Sequence, residues 1–423
     1  MINWIKKLFP LCRSITGNGT RKTLAFFEKI NPELKRLKFR SGMKVFDWLI
    51  PLEWNIEDAY IQNLKTNKKY ANFKKNNLHV VGYSIPVNKI LNKKQVKEKI
   101  YTEASRPNAI PYVTSYYNKN WGFCMSVNDK KKLPNGKYKV IIKSSLLKGS
   151  LEMSHAVIKG KSKKEIMFSS YVCHPSMANN ELSGPVLLNA ILNFLKKNIK
   201  NNYYSYRFVL LPETIGSIAY LSKFHKHLKK NLICGYNLSC VGDERAYSYL
   251  SSKEGNNLAD QSIQAALINL KNVKYYSFLK RGSDERQYLS PRINLPFCTF
   301  SRSKFGEYPE YHTSDDNMNV VTEKGLNQSL EVFINIVKSF ENGALPKTNI
   351  FCEPQLGKRN LYPNISKKNN YDDILKLRLD LIAYADGKKN IFEIAKILNK
   401  PLSEINNECE LLNKKKILGR LFL

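Results

Sequence analysis

Between about residues 137 and 345 the chain alternates short, almost unbroken apolar runs with longer amphipathic ones. No other feature constrains the fold as much. The runs at 138–143, 165–172, 206–211, 231–238 and 295–300 predict strands. Helices are predicted over 184–195, 217–224, 259–270 and 325–341, the first marked by Val186, Leu187, Leu188, Ile191 and Leu192. Strands that are apolar on both faces and separated by helices need cover on both sides. That argues an α/β fold with a mixed, mostly parallel sheet flanked by helices. In such sheets functional groups gather at the carboxyl ends of the strands.

The flanking segments have a different character. Residues 1 to about 40 read as helical, with Ser14, Thr16 and Thr20 as cap candidates and Leu24, Phe26, Phe27 and Ile30 as an apolar stripe before Asn31-Pro32. Residues 41–135 are broken by Pro51, Pro86, Pro107, Pro111 and Pro134, and end on the turn signal Pro134-Asn135-Gly136. They read as a small β-rich module inserted into the α/β domain, which then comprises 1–40 and 136–345. Residues 345–368, with Pro346, Pro354 and Pro363, read as a linker. The tail at 370–423 has helical patterns at 373–385, 391–398 and 403–413 and a short hairpin-like end at 416–423, the element order of a winged helix.

The formal net charge of +34 raises the question of nucleic acid. The basic residues are mostly scattered Lys, without the clustered Arg and interleaved aromatics of a nucleic-acid groove. The third tail helix reads Ser403-Glu404-Ile405-Asn406-Asn407-Glu408-Cys409-Glu410, three Glu and no Arg, a poor surface for phosphate. DNA is therefore unlikely as a partner, and the tail is expected to contact protein. None of the eight Cys forms a CxxC pair, and most lie in apolar contexts, as buried free thiols in a reducing compartment do. With no signal-like apolar stretch at the N-terminus and no apolar run near the ~20 residues of a membrane span, a cytoplasmic location is expected.

The chemistry sits at the strand ends. His174 closes Ser169-Ser170-Tyr171-Val172-Cys173-His174-Pro175, and Glu181 follows in Asn179-Asn180-Glu181-Leu182-Ser183-Gly184. Glu213 follows the next strand in Leu211-Pro212-Glu213-Thr214. Asp284 and Glu285 lie in Gly282-Ser283-Asp284-Glu285-Arg286, and His312 lies in Glu310-Tyr311-His312-Thr313-Ser314-Asp315-Asp316. A hydrolytic zinc takes three protein ligands from His and carboxylate and leaves a place for water, with a nearby Glu as general base. Each residue also has a purely structural reading. Either His could pack at a strand end or in a loop, Glu213 could serve a helix start, and Asp284 and Glu285 could pair with Arg281 and Arg286. His79, His155, His225 and His227 stand alone or on Lys-rich surfaces and are read as structural. Ser183 lacks the G-x-S-x-G context of a nucleophile.

These motifs, with Cys240-Val241-Gly242-Asp243-Glu244-Arg245, resemble those of bacterial aminopeptidase-like proteins often encoded beside polysaccharide biosynthesis genes. That family has a zinc-exopeptidase-type domain, a small inserted domain and a C-terminal winged helix, and the resemblance covers essentially the whole chain. Against the wider di-zinc aminopeptidases, His174 and His312 match the first and last metal-binding His. The bridging Asp falls on Asn180, the second Glu of a Glu-Glu pair on Thr214, and a further Asp on Ser239. With three acidic positions changed, the resemblance implies one zinc held by His174, Glu181 and His312, with Glu213 as base and Asp284 beside it. Asp243 or Asp284 is the next carboxylate in line.

The expected function is therefore zinc-dependent hydrolysis of an amide bond, in a small peptide-like, aminoacyl or amino-sugar substrate linked to surface polysaccharide. A second reading keeps the pocket and the winged helix for binding alone, catalysis having been lost. The inserted module could act as a lid or mediate dimerisation, which would make the protein a homo-oligomer.

Overall fold

A computed structural model describes residues 1–362 and 373–423. The expected α/β architecture is present as an eight-stranded sheet covered by helices. In chain order its strands are β1 (Lys35–Arg40), β2 (Ser150–Ile158), β3 (Glu165–Tyr171), β4 (Ser205–Leu211), β5 (Leu232–Leu238), β6 (Tyr247–Leu250), β7 (Val273–Tyr276) and β8 (Phe297–Ser301). Across the sheet they run β1-β2-β4-β3-β5-β8-β6-β7. β4, β3, β5 and β8 are mutually parallel, while β1 and β2 on one side and β6 on the other pair antiparallel. Every residue of β3 and of β4 is buried, as strands covered on both faces require.

The helices α1 (Asn18–Ile30), α2 (Ser183–Asn198), α3 (Ile215–Asn231), α4 (Leu258–Ala266) and α5 (Glu323–Glu341) cover this sheet. α2 sits close against the carboxyl ends of the central strands because Gly184 has no side chain. A Cβ there would meet Ser170 Oγ at 2.3 Å and the Leu238 carbonyl at 2.4 Å.

Several elements differ from the sequence reading. After Asn31-Pro32 the chain does not stay helical. Pro32 bars continuation, and Lys35–Arg40 runs as edge strand β1 against β2, with Phe39 turned into the core. Strands β2, β6 and β7 are additions. The strand expected at 138–143 forms as Lys137–Leu147, but it pairs in a separate four-stranded antiparallel sheet between Glu53–Asn63 and Val87–Asn92. It thereby ties the small β-rich region to the main body.

Residues 416–423 do not fold into a hairpin. Leu418–Leu421 pairs with Leu345–Thr348, a strand inside the expected linker. Eight residues are too few to turn and bury both arms, so the strand takes a distant partner. Residues 363–368 of that linker, and 370–372 of the expected tail domain, lie outside the described residues.

The tail helices α6 (Asp373–Tyr384), α7 (Ile391–Leu398) and α8 (Leu402–Lys414) complete the winged helix. They share a continuous apolar core with the main sheet and α5. The would-be recognition helix α8 turns towards α5. Asn406 accepts from Ser339 Oγ at 2.8 Å and donates to the Asn335 carbonyl at 3.0 Å. Arg378 and Glu408, both largely buried, form an ion pair beneath it. Among the described residues no helix is long and apolar enough to cross a membrane.

Candidate functional site

The loops leaving the parallel strands meet the expected residues at one end of the sheet. Val172 continues β3 by one hydrogen bond to the Leu211 carbonyl, 2.8 Å, and delivers Cys173 and His174 beyond it. A π-helical turn, Ala178–Leu182, then leads into α2 and brings Glu181 back beside His174. Such one-turn irregularities recur at functional sites because they redirect a side chain that a regular helix would point away. Asp316 holds the turn. Its carboxylate accepts the backbone N–H groups of Asn179 (2.7 Å) and Asn180 (2.8 Å) and the Tyr308 hydroxyl (2.9 Å). Burial raises Asp316 to about 6 against these hydrogen bonds.

Four non-glycine residues here adopt left-handed backbone conformations: Ser176 (φ 42°), Thr214 (φ 63°), Cys240 (φ 55°) and His312 (φ 57°). For a β-branched residue such as Thr214 this costs on the order of 1–3 kcal/mol. Strain of this kind persists where the surroundings over-determine a loop, and four cases at one end of a sheet mark a built site.

His174 is sandwiched between two carboxyl groups. Its Nδ1 lies 3.0 Å from Glu181 Oε2, and its Nε2 lies 3.7 Å from Glu213 Oε2. Glu181 is fully buried and faces a second buried group, Arg13, whose Nε lies 3.2 Å from Oε1. That guanidinium directs its hydrogens elsewhere, to the His174 carbonyl at 2.9 Å and the Leu8 carbonyl at 2.7 Å. Its charge draws the Glu181 carboxyl down, but burial outweighs it and pushes the carboxyl up to about 8, while Oε1 is left without a hydrogen bond.

His312 packs its ring 5.4 Å from that of His174, and Tyr112 makes edge contacts with both at 5.1 and 5.2 Å. The His312 Nε2 atom is buried with no partner. Burial holds both imidazoles uncharged, down to about 3, with Arg13 opposing a proton on His174 and His174 opposing one on His312.

Glu213 is partly exposed and accepts a hydrogen bond from Ser283 Oγ at 2.6 Å. Its carboxyl is pushed upward, first by burial and then by Asp284. Asp284 is fully buried and also raised, chiefly by burial. Its Oδ1 accepts from Thr214 N (2.8 Å) and Ser217 Oγ (2.7 Å), so it pins the turn carrying Glu213. Asp243 is spoken for by Asn179, Ser303 and Arg245. Glu285 is spoken for by backbone N–H groups and by Asn237 and Thr299.

The donor atoms allow a test of fit to a metal ion. Among the described residues, Cys173, His174 and Glu181 offer ligand atoms within 4.8 Å of one another. Most of those atoms are already engaged, Glu181 Oε1 excepted. The His174–Glu181 contact uses Nδ1, the Cys173 sulfur accepts Glu213 N–H at 3.3 Å, and a cation there would face the Arg13 guanidinium. On the other side of the ring, His174 Nε2 faces Glu213 Oε2 at 3.7 Å, and His312 Nε2 lies buried without a partner. The two neutral imidazoles are ligand types that a hydrolytic zinc takes, with Glu213 as the carboxyl beside them, although among the described residues these three do not form a cluster as tight as that of Cys173, His174 and Glu181. A second metal does not fit. Asn180 and Ser239 are joined through the Tyr171 hydroxyl at 2.8 and 2.6 Å, and Thr214 Oγ1 accepts from Arg286. Glu181 meets His174 at Nδ1, across the ring from Glu213 at Nε2, and its Oε1 remains free of hydrogen bonds.

Arg13, Tyr112 and Asp316 have no part in the sequence reading. Asp316 had a visible signal, as the second of two acids just past His312. Arg13 and Tyr112 had none, since they arrive from 161 and 62 residues before His174. The β-rich region brings Tyr112 in through paired loops. Tyr112 N donates to the His312 carbonyl and Ser314 N to that of Ile110, both at 2.8 Å.

Comparison with known proteins agrees with this architecture. The family model described as a domain of unknown function (DUF4910) matches residues 2–343, and a winged helix-turn-helix model matches 344–420. A Clostridium acetobutylicum protein named for polysaccharide biosynthesis and an aminopeptidase-like domain is 42% identical over 395 residues, 93% of this chain and 90% of that protein. A crystal structure from the same organism, described as a peptidase, has a TM-score of 0.90 at 38% identity over 99% of this chain and 95% of its own. BSAP, a zinc aminopeptidase from Bacillus subtilis, superposes with a TM-score of 0.57 at 14% identity over 79% of this chain and 93% of its own, a likeness of fold.

Proposed function

The chain belongs to the DUF4910 family and carries an aminopeptidase-like fold with a winged helix, and from that premise we propose that it is a zinc-dependent hydrolase of an amide bond. The observation that carries this is the pair of uncharged imidazoles, His174 buried and His312 with a buried, unpartnered Nε2, beside a carboxyl group whose proton affinity burial raises.

His174 and His312 would hold the ion through Nε2. When bound, zinc supplies Lewis-acid polarisation of the amide carbonyl and lowers the pKa of water. Glu213, in its ionised form, is the base beside the two imidazoles, and its Oε2 takes the proton of the attacking water. It then returns the proton to the leaving amine. Ser283 Oγ–H on Oε1 orients the carboxylate, and Asp284 fixes the turn from behind. Glu181, acting through Nδ1, holds His174 in the tautomer whose Nε2 lone pair faces the ion. Tyr112 makes edge contacts with both rings and fixes their planes.

The substrate class we assign is a small peptide-like, aminoacyl or amino-sugar amide. The relative named for polysaccharide biosynthesis supports it. A test is turnover of aminoacyl reporter amides by Glu213→Gln. Retained zinc with a rate lowered on the order of 10²–10⁴-fold fits the role of base; an unchanged rate removes Glu213 from the mechanism.

The neutral Asn180, Thr214 and Ser239 favour a second reading, a binding module without catalysis. It predicts a ligand-dependent rise in melting temperature that Glu213→Gln leaves intact.

A further inference from the structure

We propose that the hairpin at 43–52 is a docking surface for an anionic lipid membrane. Met43, Phe46, Trp48, Leu49 and Leu52 are all exposed within ten residues of chain, Leu49 at 55% and Met43 and Phe46 at 47%. Scattered exposed apolar residues need no explanation, but a contiguous cluster does. This cluster is ordered. Lys44 pairs with Leu49 and Val45 with Trp48, and Gly42 N donates to the Ile50 carbonyl at 2.8 Å. Val45 and Ile50 are buried and anchor the hairpin, so Trp48 and Leu49 between them are held outward, while Phe46, half exposed, also meets the His225 ring edge-on at 5.5 Å. Tyr117, half exposed, extends the patch. Its ring meets Trp48 edge-on at 5.8 Å, and its hydroxyl donates to the Leu49 carbonyl at 3.1 Å.

The rim carries positive charge. Arg40, Lys44, Lys119 and Lys148 are exposed beside the patch. A cleft of about 550 Å³ adjoining Met43 has Lys38 and Lys223 in its wall, of a size to admit a lipid headgroup. The neighbouring carboxylates Glu53 and Glu152 are neutralised by Arg21 and Arg36. Asp47 at the hairpin tip is the exposed exception.

Apolar and aromatic side chains ringed by Lys and Arg are the composition that inserts at the boundary of an anionic bilayer. A second copy of this chain is a poorer occupant, because it would press two basic rims together in a protein of net charge +34.

The test is co-sedimentation of the full chain with vesicles of phosphatidylcholine alone or mixed with phosphatidylglycerol. The expected result is binding to the anionic vesicles only, weakened by salt and accompanied by a blue shift of tryptophan emission. The triple variant Phe46→Ser/Trp48→Ser/Leu49→Ser should lose on the order of tenfold or more in binding. Lys44→Glu/Lys148→Glu, which leaves the apolar side chains in place, should weaken it as well. Absence of vesicle binding would overturn the proposal, as would binding indifferent to the triple change. So would a dimer in sedimentation velocity that the triple change dissociates, since the patch would then belong to a second copy.

Discussion

Arg13 and Glu181 present an energetic problem at the level of single residues. Both are fully buried, and each is tolerable only because the other is there. Removing one partner of such a pair leaves an uncompensated charge and costs about 3–5 kcal/mol. Arg13→Ala should therefore lower stability by that order in a denaturant titration. Glu181→Gln keeps the shape but weakens the acceptor on His174 Nδ1, so its main effect should fall on metal affinity, lowered on the order of 10–100-fold. Equal zinc affinity in Glu181→Gln and wild type would remove Glu181 from the support of His174. The His, Glu and Asp of this cluster were legible in the sequence because each follows a strand. The division of labour between them was not, since which nitrogen of His174 meets which carboxylate is a matter of loop geometry.

At the scale of elements, the parallel strands read clearly because covered strands are apolar throughout. Edge strands do not announce themselves that way, and β1 was hidden behind a helical pattern that Pro32 ends. The opposite end of the sheet from the site is tied by an ion pair across two strands. Arg207 on β4 reaches Glu165 on β3 at 2.7 and 2.9 Å, and His227 on α3 adds a contact at 2.7 Å. Burial acts to raise Glu165, but the bonds from Arg207 and His227 outweigh it, and its carboxyl lies below the ordinary value of 4.5. A depressed carboxyl contributes stability that is present above the unfolded value and is lost as pH falls through the folded one. Glu165→Gln should thus destabilise by about 3–5 kcal/mol at neutral pH. The gap from wild type should narrow as pH drops below 4.5, measured by denaturant melts across pH. A gap independent of pH would show that the loss is one of packing alone.

Over the whole molecule, the winged helix behaves as a part of the main body. Its core is continuous with α5, and Asn406 on α8 is bonded to Ser339 and Asn335. The strand Leu418–Leu421 closes on Leu345–Thr348. Ending the chain at 343 would uncover Phe340 and Val337 and their neighbours on α5, so the shortened protein should melt lower or aggregate. Unchanged melting would mean that the two parts fold independently. The order of helices in the tail was legible from periodicity. The inward turn of α8 was not, because its partner lies some seventy residues earlier.

The central claim is that His174 and His312 hold one zinc. Zinc content, measured on protein purified without chelator, tests it most directly in wild type against His312→Ala. The account predicts about one zinc per chain in the wild type and its loss in the variant. A wild-type protein that carries no zinc and takes up none when it is added would contradict it, and so would full zinc in His312→Ala.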